Sequence, residues 1–307
     1  MNTPTATLTP EPPDGGTSPI KPTAPRRVRR AAQSRRKLRV YYTMGPKGGL
    51  GKTFTARALL DLVVTLGRPV RIVQIDRGTV LPDLYPGLAQ VVHPPGAEEM
   101  RADPLAAIKT FAPLEEAVER CLDDGADLFV DVGAAQNARA FLSFLAKSRF
   151  DAYLAGHGVS PIALLLFTAE VSAMTQSADL AEILTAIHPG AEIVPVLNER
   201  DGPFSFREAS QAGRIWRERV VPLLTGRRQV VIPAMAAGAW AAFEEHGLTF
   251  RDVIESDERA LGRQIGEGRA MTAALQGDVA AWIDVVWTAL TPLLAETCGG
   301  EVGDAGA

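Results

Sequence analysis

Short apolar runs and longer amphipathic stretches take turns along this chain, separated by breaks rich in Gly, Pro and polar residues. Runs dominated by β-branched, aliphatic and aromatic residues fall at 38–43, 70–75, 127–131, 162–168, 191–197 and 229–233, and each reads as a buried strand. Between them, apolar positions recur at helical spacing from Lys52 through Val64, from about Leu114 to Leu122 and through Ala181–Leu184. Two more helices are expected from roughly Ser205 to Val221 and from about Gly277 to Thr291. Prolines 94, 95 and 104 mark residues 93–112 as a loop or mixed segment. Strand and helix in alternation specify an α/β fold, a mostly parallel twisted sheet with helices on both faces.

The break after the first strand carries chemistry. Met44-Gly45-Pro46-Lys47-Gly48-Gly49-Leu50-Gly51-Lys52-Thr53-Phe54 lies between a strand and a helix, the context of a phosphate-binding loop. Glycines let successive backbone N–H groups turn toward one anion, and the helix adds its positive N-terminal end. Lys52 can reach the β- and γ-phosphates, while the Thr53 hydroxyl can ligate Mg²⁺. The chain has six lysines among 32 basic residues, yet both loop cations are Lys, whose compact ammonium suits a point contact to phosphate. The expected fold is therefore a P-loop NTPase. A flexible Gly-rich connector is the bland alternative.

Other polar residues stand where such a sheet places ligand groups. The second strand ends in Asp76, and the run Asp127–Asp131 closes on a carboxylate that could hold Mg²⁺ through water opposite Thr53. It also reads as an ordinary strand end. Val132-Gly133-Ala134-Ala135 can then turn beside the γ-phosphate as a switch loop.

Pro46 replaces the first glycine of the plain motif, and Lys47 precedes the glycine pair. Together with Lys52, this resembles the deviant Walker A loop of the ParA/MinD family of ATPases, over about residues 38–256. The resemblance implies an ATP- and Mg²⁺-dependent dimerising ATPase. In it Lys47 reaches the partner's nucleotide, residues 47–54 (Lys47, Gly48, Gly49, Leu50, Gly51, Lys52, Thr53 and Phe54) bind nucleotide, and Thr53, Asp76 and Asp131 serve the metal. Lys47, Lys52 and Asp76 are its catalytic candidates. The family's strand ends in Asp-x-Asp, the second carboxylate orienting the attacking water; that position here is Gly78, and Asp83 is a distant substitute. Asn198 matches an Asn that faces the base, with a strand-ending polar residue as the alternative, and Pro233 matches a segment lining the adenine pocket. Arg214 and Arg217 lie on a helix whose family counterpart is near a DNA-binding face; a solvated charged helix is the other reading.

Charge is distributed unevenly. Residues 1–39 carry nine Lys/Arg against two Asp/Glu, leaving 23 against 34 for the remainder and a net charge of −4. Residues 1–37 read as a Pro-rich disordered arm whose Arg26, Arg27, Arg29 and Arg30 can bind DNA without reading sequence or can simply solubilise. Residues 38–296 read as the ATPase domain with its C-terminal helix, and 297–307 as a flexible tail. Cys121 and Cys298 form no metal or redox pair, which fits a reducing cytosol, with nucleoid association in view. No run of membrane-spanning length is expected. The apolar face of the last helix, with Trp282, Ile283, Val286, Trp287 and Leu290 and no Lys or Arg from 278 to 297, points to docking on the domain or a partner rather than to lipid.

The leading expectation is a ParA-type switch that dimerises on ATP, binds DNA non-specifically and answers to a ParB-like or relaxosome-type partner, with no membrane role. Two alternatives stand beside it. One is an ATP-gated binding module with little hydrolysis, given Gly78. The other is a metabolic ATP-dependent enzyme of similar fold, for which His93, His157, His188 and His246 offer no clustered catalytic group.

Overall fold

Seven strands hydrogen-bond in the order β3-β2-β4-β1-β5-β6-β7, and every neighbouring pair is parallel, in a computed structural model that describes residues 38–236 and 238–295. The strands are β1 (Arg39–Met44), β2 (Val70–Ile75), β3 (Ala89–Val92), β4 (Asp127–Val132), β5 (Ser160–Phe167), β6 (Glu192–Asn198) and β7 (Val230–Ile232). Parallel neighbours need crossovers, and helices supply them: α1 (Lys52–Thr65) after β1, α2 (Val80–Leu84) after β2, α3 (Ala97–Ala102) and α4 (Ala106–Asp124) before β4, α5 (Gln136–Ser148) and α6 (Phe150–Gly156) before β5, and α7 (Val171–Ile187) before β6.

Side chains of β1 alternate between two cores. Val40, Tyr42 and Met44 join Phe111, Phe141 and Phe144 on one face; Tyr41 packs with α1 and the C-terminal helices on the other. Because the chain leaves β1 for β2 on one side and later pairs β5 on the other, the carboxyl end of β1 is the sheet's switch point, where such folds bind ligands.

Several expected boundaries move. β3 is an additional edge strand, and the segment 93–112 is not a loop: it forms α3 and the start of α4. Pro113 lies inside α4, where it costs roughly 3 kcal/mol. Burial of Ala107, Phe111, Leu114, Val118 and Cys121 on one stripe outweighs that cost. Helix formation expected from Ser205 begins only at α8 (Gln211–Ile215), capped by the Ser210 hydroxyl, and passes through a π turn at Trp216–Val220 into α9 (Val221–Leu224). Cys121 is buried and its thiol pushed up to about 12 by that burial; Cys298 and the tail lie outside the described residues.

After β7 come α10 (Ala241–Glu245), α11 (Phe250–Glu255), α12 (Glu258–Ile265) and α13 (Arg269–Leu294). The last is longer than expected, and it is the one helix among the described residues long and apolar enough to cross a membrane. The expectation of no such run missed it because Asp278 and Asp284 interrupt its apolar sequence. Trp282, Ile283, Val286, Leu290 and Leu293 are buried in the core shared with α1, as the docking expectation required, and the Trp287 indole donates to the Ala58 carbonyl at 2.9 Å. Three arginines from separate elements cap its carboxyl end. Arg39 donates to the carbonyls of Leu293 and Ala295, Arg68 to Leu294 at 2.8 Å and Arg228 to Pro292 at 2.8 Å.

Candidate functional site

Residues 45–51 leave the end of β1 and turn into α1, and five of the loop's carbonyls are engaged, three of them by residues from elsewhere in the chain. Pro46 O accepts from Ala135 N (3.2 Å), Lys47 O from Lys52 Nζ (2.8 Å), Gly49 O from Arg200 Nη1 (2.7 Å), Leu50 O from Asn198 Nδ2 (3.0 Å) and Gly51 O from Thr55 N (2.8 Å). Among the described residues, no backbone N–H from Lys47 to Gly51 donates to a protein acceptor. N–H groups left without a protein acceptor are what a loop at a helix N-terminus offers to an anion. Gly51 makes this possible with φ 85°, and a side chain there would run into the Asn198 amide.

Lys52 is buried, and burial lowers its ammonium pKa while the carboxylates of Asp131 and Asp76 oppose that shift. A cation withdrawn from water interacts more strongly with phosphate than one on the surface. Asp131, at the register position facing Thr43 on β1, accepts from the hydroxyls of Thr43 (2.6 Å) and Thr53 (2.7 Å). Burial pushes its carboxyl above the usual range, against the pull of those two hydroxyls and Lys52. Asp76, at the end of β2, accepts from Arg77 N (2.6 Å) and Asn137 Nδ2 (3.2 Å).

This donor set fits Mg²⁺. A hydroxyl and a buried carboxylate in mutual contact, with a second carboxylate on the neighbouring strand, are hard oxygen ligands. No three His, Cys, Asp or Glu side chains gather into a metal cage among the described residues, so the cation would share its coordination with phosphate oxygens and water.

Lys47 is half-buried and paired within its own chain: Nζ contacts Glu170 and donates to Ser172 Oγ at 3.3 Å. This contact holds the Glu170 carboxyl below its usual range. Asn198 is engaged with the loop: one N–H of Nδ2 holds Leu50 O and Oδ1 accepts from Arg200 N at 3.2 Å. The Phe54 ring packs edge-on to Trp240 and Phe250 and against Trp282. Pro233 follows β7, and its carbonyl accepts from the Trp282 indole at 2.8 Å. Asp83 accepts from Thr79 Oγ1 at 2.7 Å on the surface. Arg214 and Arg217 are exposed; Arg26, Arg27, Arg29 and Arg30 lie outside the described residues.

Sequence reasoning missed Thr43, Glu170, Arg200 and Asn137. Thr43 and Glu170 were within reach of it: both are polar and sit at or just past the ends of adjacent strands β1 and β5, next to the loop. Arg200 and Asn137 act through side-chain placement that no spacing announces.

A strand–loop–helix unit with Lys47, Lys52 and Thr53, set at the switch point of an all-parallel sheet, defines a P-loop NTPase fold. No family model and no curated protein matches the chain. Among solved structures it is similar to septum site-determining protein MinD complexed with Mg-ADP from Pyrococcus horikoshii OT3, at 17% identity over 85% of this chain and 99% of that one, with a TM-score of 0.41. A ParA family ATPase from Chlorobium tepidum TLS aligns at 12% identity over 80% of this chain and 98% of that one, TM-score 0.40. Chloroplast FtsY from Physcomitrella patens aligns at 14% identity and TM-score 0.40 over 66% of this chain, which spans 60% of the FtsY chain.

Proposed function

We propose that this protein is an ATP-binding switch ATPase of ParA/MinD type. The observation that carries the reading is the loop itself: three carbonyls held by Ala135, Arg200 and Asn198, five consecutive N–H groups without protein acceptors among the described residues, and Lys52 and Thr53 at the mouth of α1. Bound Mg²⁺ would offset charge on the β- and γ-phosphates, held from the Thr53 and Asp131 side. ATP sits between two protomers, and Lys47 exchanges its contact with Glu170 for the partner's nucleotide. Nucleotide then acts as a ligand with different affinities for monomer and dimer, as a switch requires. The dimer binds DNA non-specifically through Arg214, Arg217 and the basic arm in the cytoplasm or at the nucleoid, and a ParB-like or relaxosome-type partner stimulates hydrolysis in partition or mobilisation.

Sedimentation with Mg²⁺ and ATP tests this. Wild type forms a dimer; Lys52→Ala loses nucleotide binding; Lys47→Ala binds nucleotide and stays monomeric. ATP binding without any change in mass sinks the dimer switch. Gly78, exposed with open space around it, favours a second reading in which ATP gates binding with little turnover. Phosphate release over hours separates the two.

A further inference from the structure

The Gly at position 78 leaves the chain without the carboxylate expected to orient a water for attack on the γ-phosphate. Building on the ATPase reading, we propose that the Asn137 carboxamide is the positioning residue for that water.

Asn137 lies in the first turn of α5, directly after the switch loop that leaves β4. Its Nδ2 donates to Asp76 Oδ1 at 3.2 Å, and this is its only side-chain hydrogen bond among the described residues. A carboxamide offers two donor hydrogens and an acceptor oxygen, so one N–H can hold Asp76 while Oδ1 and the second N–H stay available to a water. The amide also sits against Gly133. A Cβ at that glycine would overlap Asn137 Nδ2 and come within 2.8 Å of Ile75 O and 2.9 Å of Asp76 Oδ2. Asn137, Asp76 and the Gly133 backbone therefore meet at the adjoining carboxyl ends of β2 and β4.

That junction is coupled to the phosphate loop. Ala135 N donates to Pro46 O at 3.2 Å, and Ala135 adopts φ 47° and ψ −99°, a conformation L-residues avoid. Strained backbone of this kind persists where the surroundings impose it, typically in segments that change state. Other polar groups nearby make contacts of their own. Gln136 donates to Pro95 O (3.4 Å), the His93 ring contacts the Asp76 backbone carbonyl (3.1 Å), and Asp83 is held by Thr79.

In the step served, the water oxygen forms a bond to the γ-phosphorus as the bond from that phosphorus to the β–γ bridging oxygen breaks. ADP departs with the electron pair, and the water's proton passes to the released phosphate or to solvent. Phosphoryl transfer of this kind depends on positioning more than on a strong base, so a neutral amide suffices.

The test is single-turnover phosphate release from radiolabelled ATP under excess protein, with ATP affinity measured separately, for wild type, Asn137→Ala and Asn137→Ala/Gly78→Asp. Asn137→Ala keeps its ATP affinity within about threefold while release slows by about tenfold or more, and Gly78→Asp restores most of the rate. A merely structural Asn137 would not be rescued by a carboxylate at 78. If Asn137→Ala fails to fold, Asn137→Ser is read in its place with the same expected loss. Release at the wild-type rate from a folded variant overturns the proposal, as does absence of rescue. Wild type that binds ATP yet releases no phosphate overturns it while leaving an ATP-gated module standing; wild type that binds no ATP overturns the underlying functional reading instead.

Discussion

Asp61, midway along α1, takes hydrogen bonds from the Tyr85 hydroxyl (2.7 Å) and from the backbone N–H groups of Phe250 (2.8 Å) and Arg251 (3.3 Å). One carboxylate thus ties α1 to the start of α11 and to the chain just after α2. Burial nevertheless dominates its titration and raises its pKa from 3.8 to about 6. Between those values the folded protein binds the proton more tightly than the unfolded chain, so this group's contribution to stability is greatest at low pH and declines as pH rises through about 6. A shift of that size corresponds to about 3 kcal/mol. Asp61→Asn, with Tyr85 free to reverse its hydroxyl, should therefore gain about that much stability relative to wild type between pH 4 and pH 7. Urea melts at both pH values check it, and an unchanged difference between variant and wild type would show that Asp61 titrates normally. Residue roles were legible unevenly for the same reason that Asp61 was invisible. Lys52, Thr53 and Asp131 follow from spacing and strand ends, whereas the hold of Asn198 on the loop was not legible, because its partner is a backbone carbonyl 148 residues away.

Elements were legible where an apolar run was long and uninterrupted. Six of the seven strands announce themselves in this way, but β3 is a half-buried four-residue edge strand with no such run. Proline read as a breaker hid the early turns of α4, since tertiary burial overrides a local penalty that sequence alone counts in full. The carboxyl end of α13 was equally hidden, because the capping arginines come from β1, the turn after α1 and the segment before β7. Of these, Arg39 is buried and bridges two terminal carbonyls. Removing it leaves the buried Leu293 O to the Tyr41 hydroxyl at 3.3 Å and the Ala295 O to water, so Arg39→Ala should destabilise by about 1–3 kcal/mol, and more than Arg228→Ala, which leaves exposed groups to water. Equal small losses in denaturant titrations would show that α13 is held by its apolar face alone.

At the scale of the whole molecule, charge separates the arm from the body. Residues 1–37 carry eight Lys/Arg against two Asp/Glu while the remainder is net negative, so a DNA-binding role depends on that segment to overcome repulsion. Deleting residues 1–37 should weaken binding to duplex DNA by at least about tenfold at low salt and flatten the dependence of affinity on salt concentration. An unchanged slope would assign the contact to Arg214, Arg217 and their neighbours instead. Overall fold class was the most legible property of this sequence because it is written redundantly, in every strand–helix alternation, whereas each site residue is written once.

The outward fastening of the phosphate loop has a kinetic meaning. Its conformational entropy is surrendered when the protein folds, well before any anion arrives. Capture of an anion would then leave the loop backbone largely as it is, and the step that remains is exchange of the Lys52 ammonium from Lys47 O to the incoming oxygen.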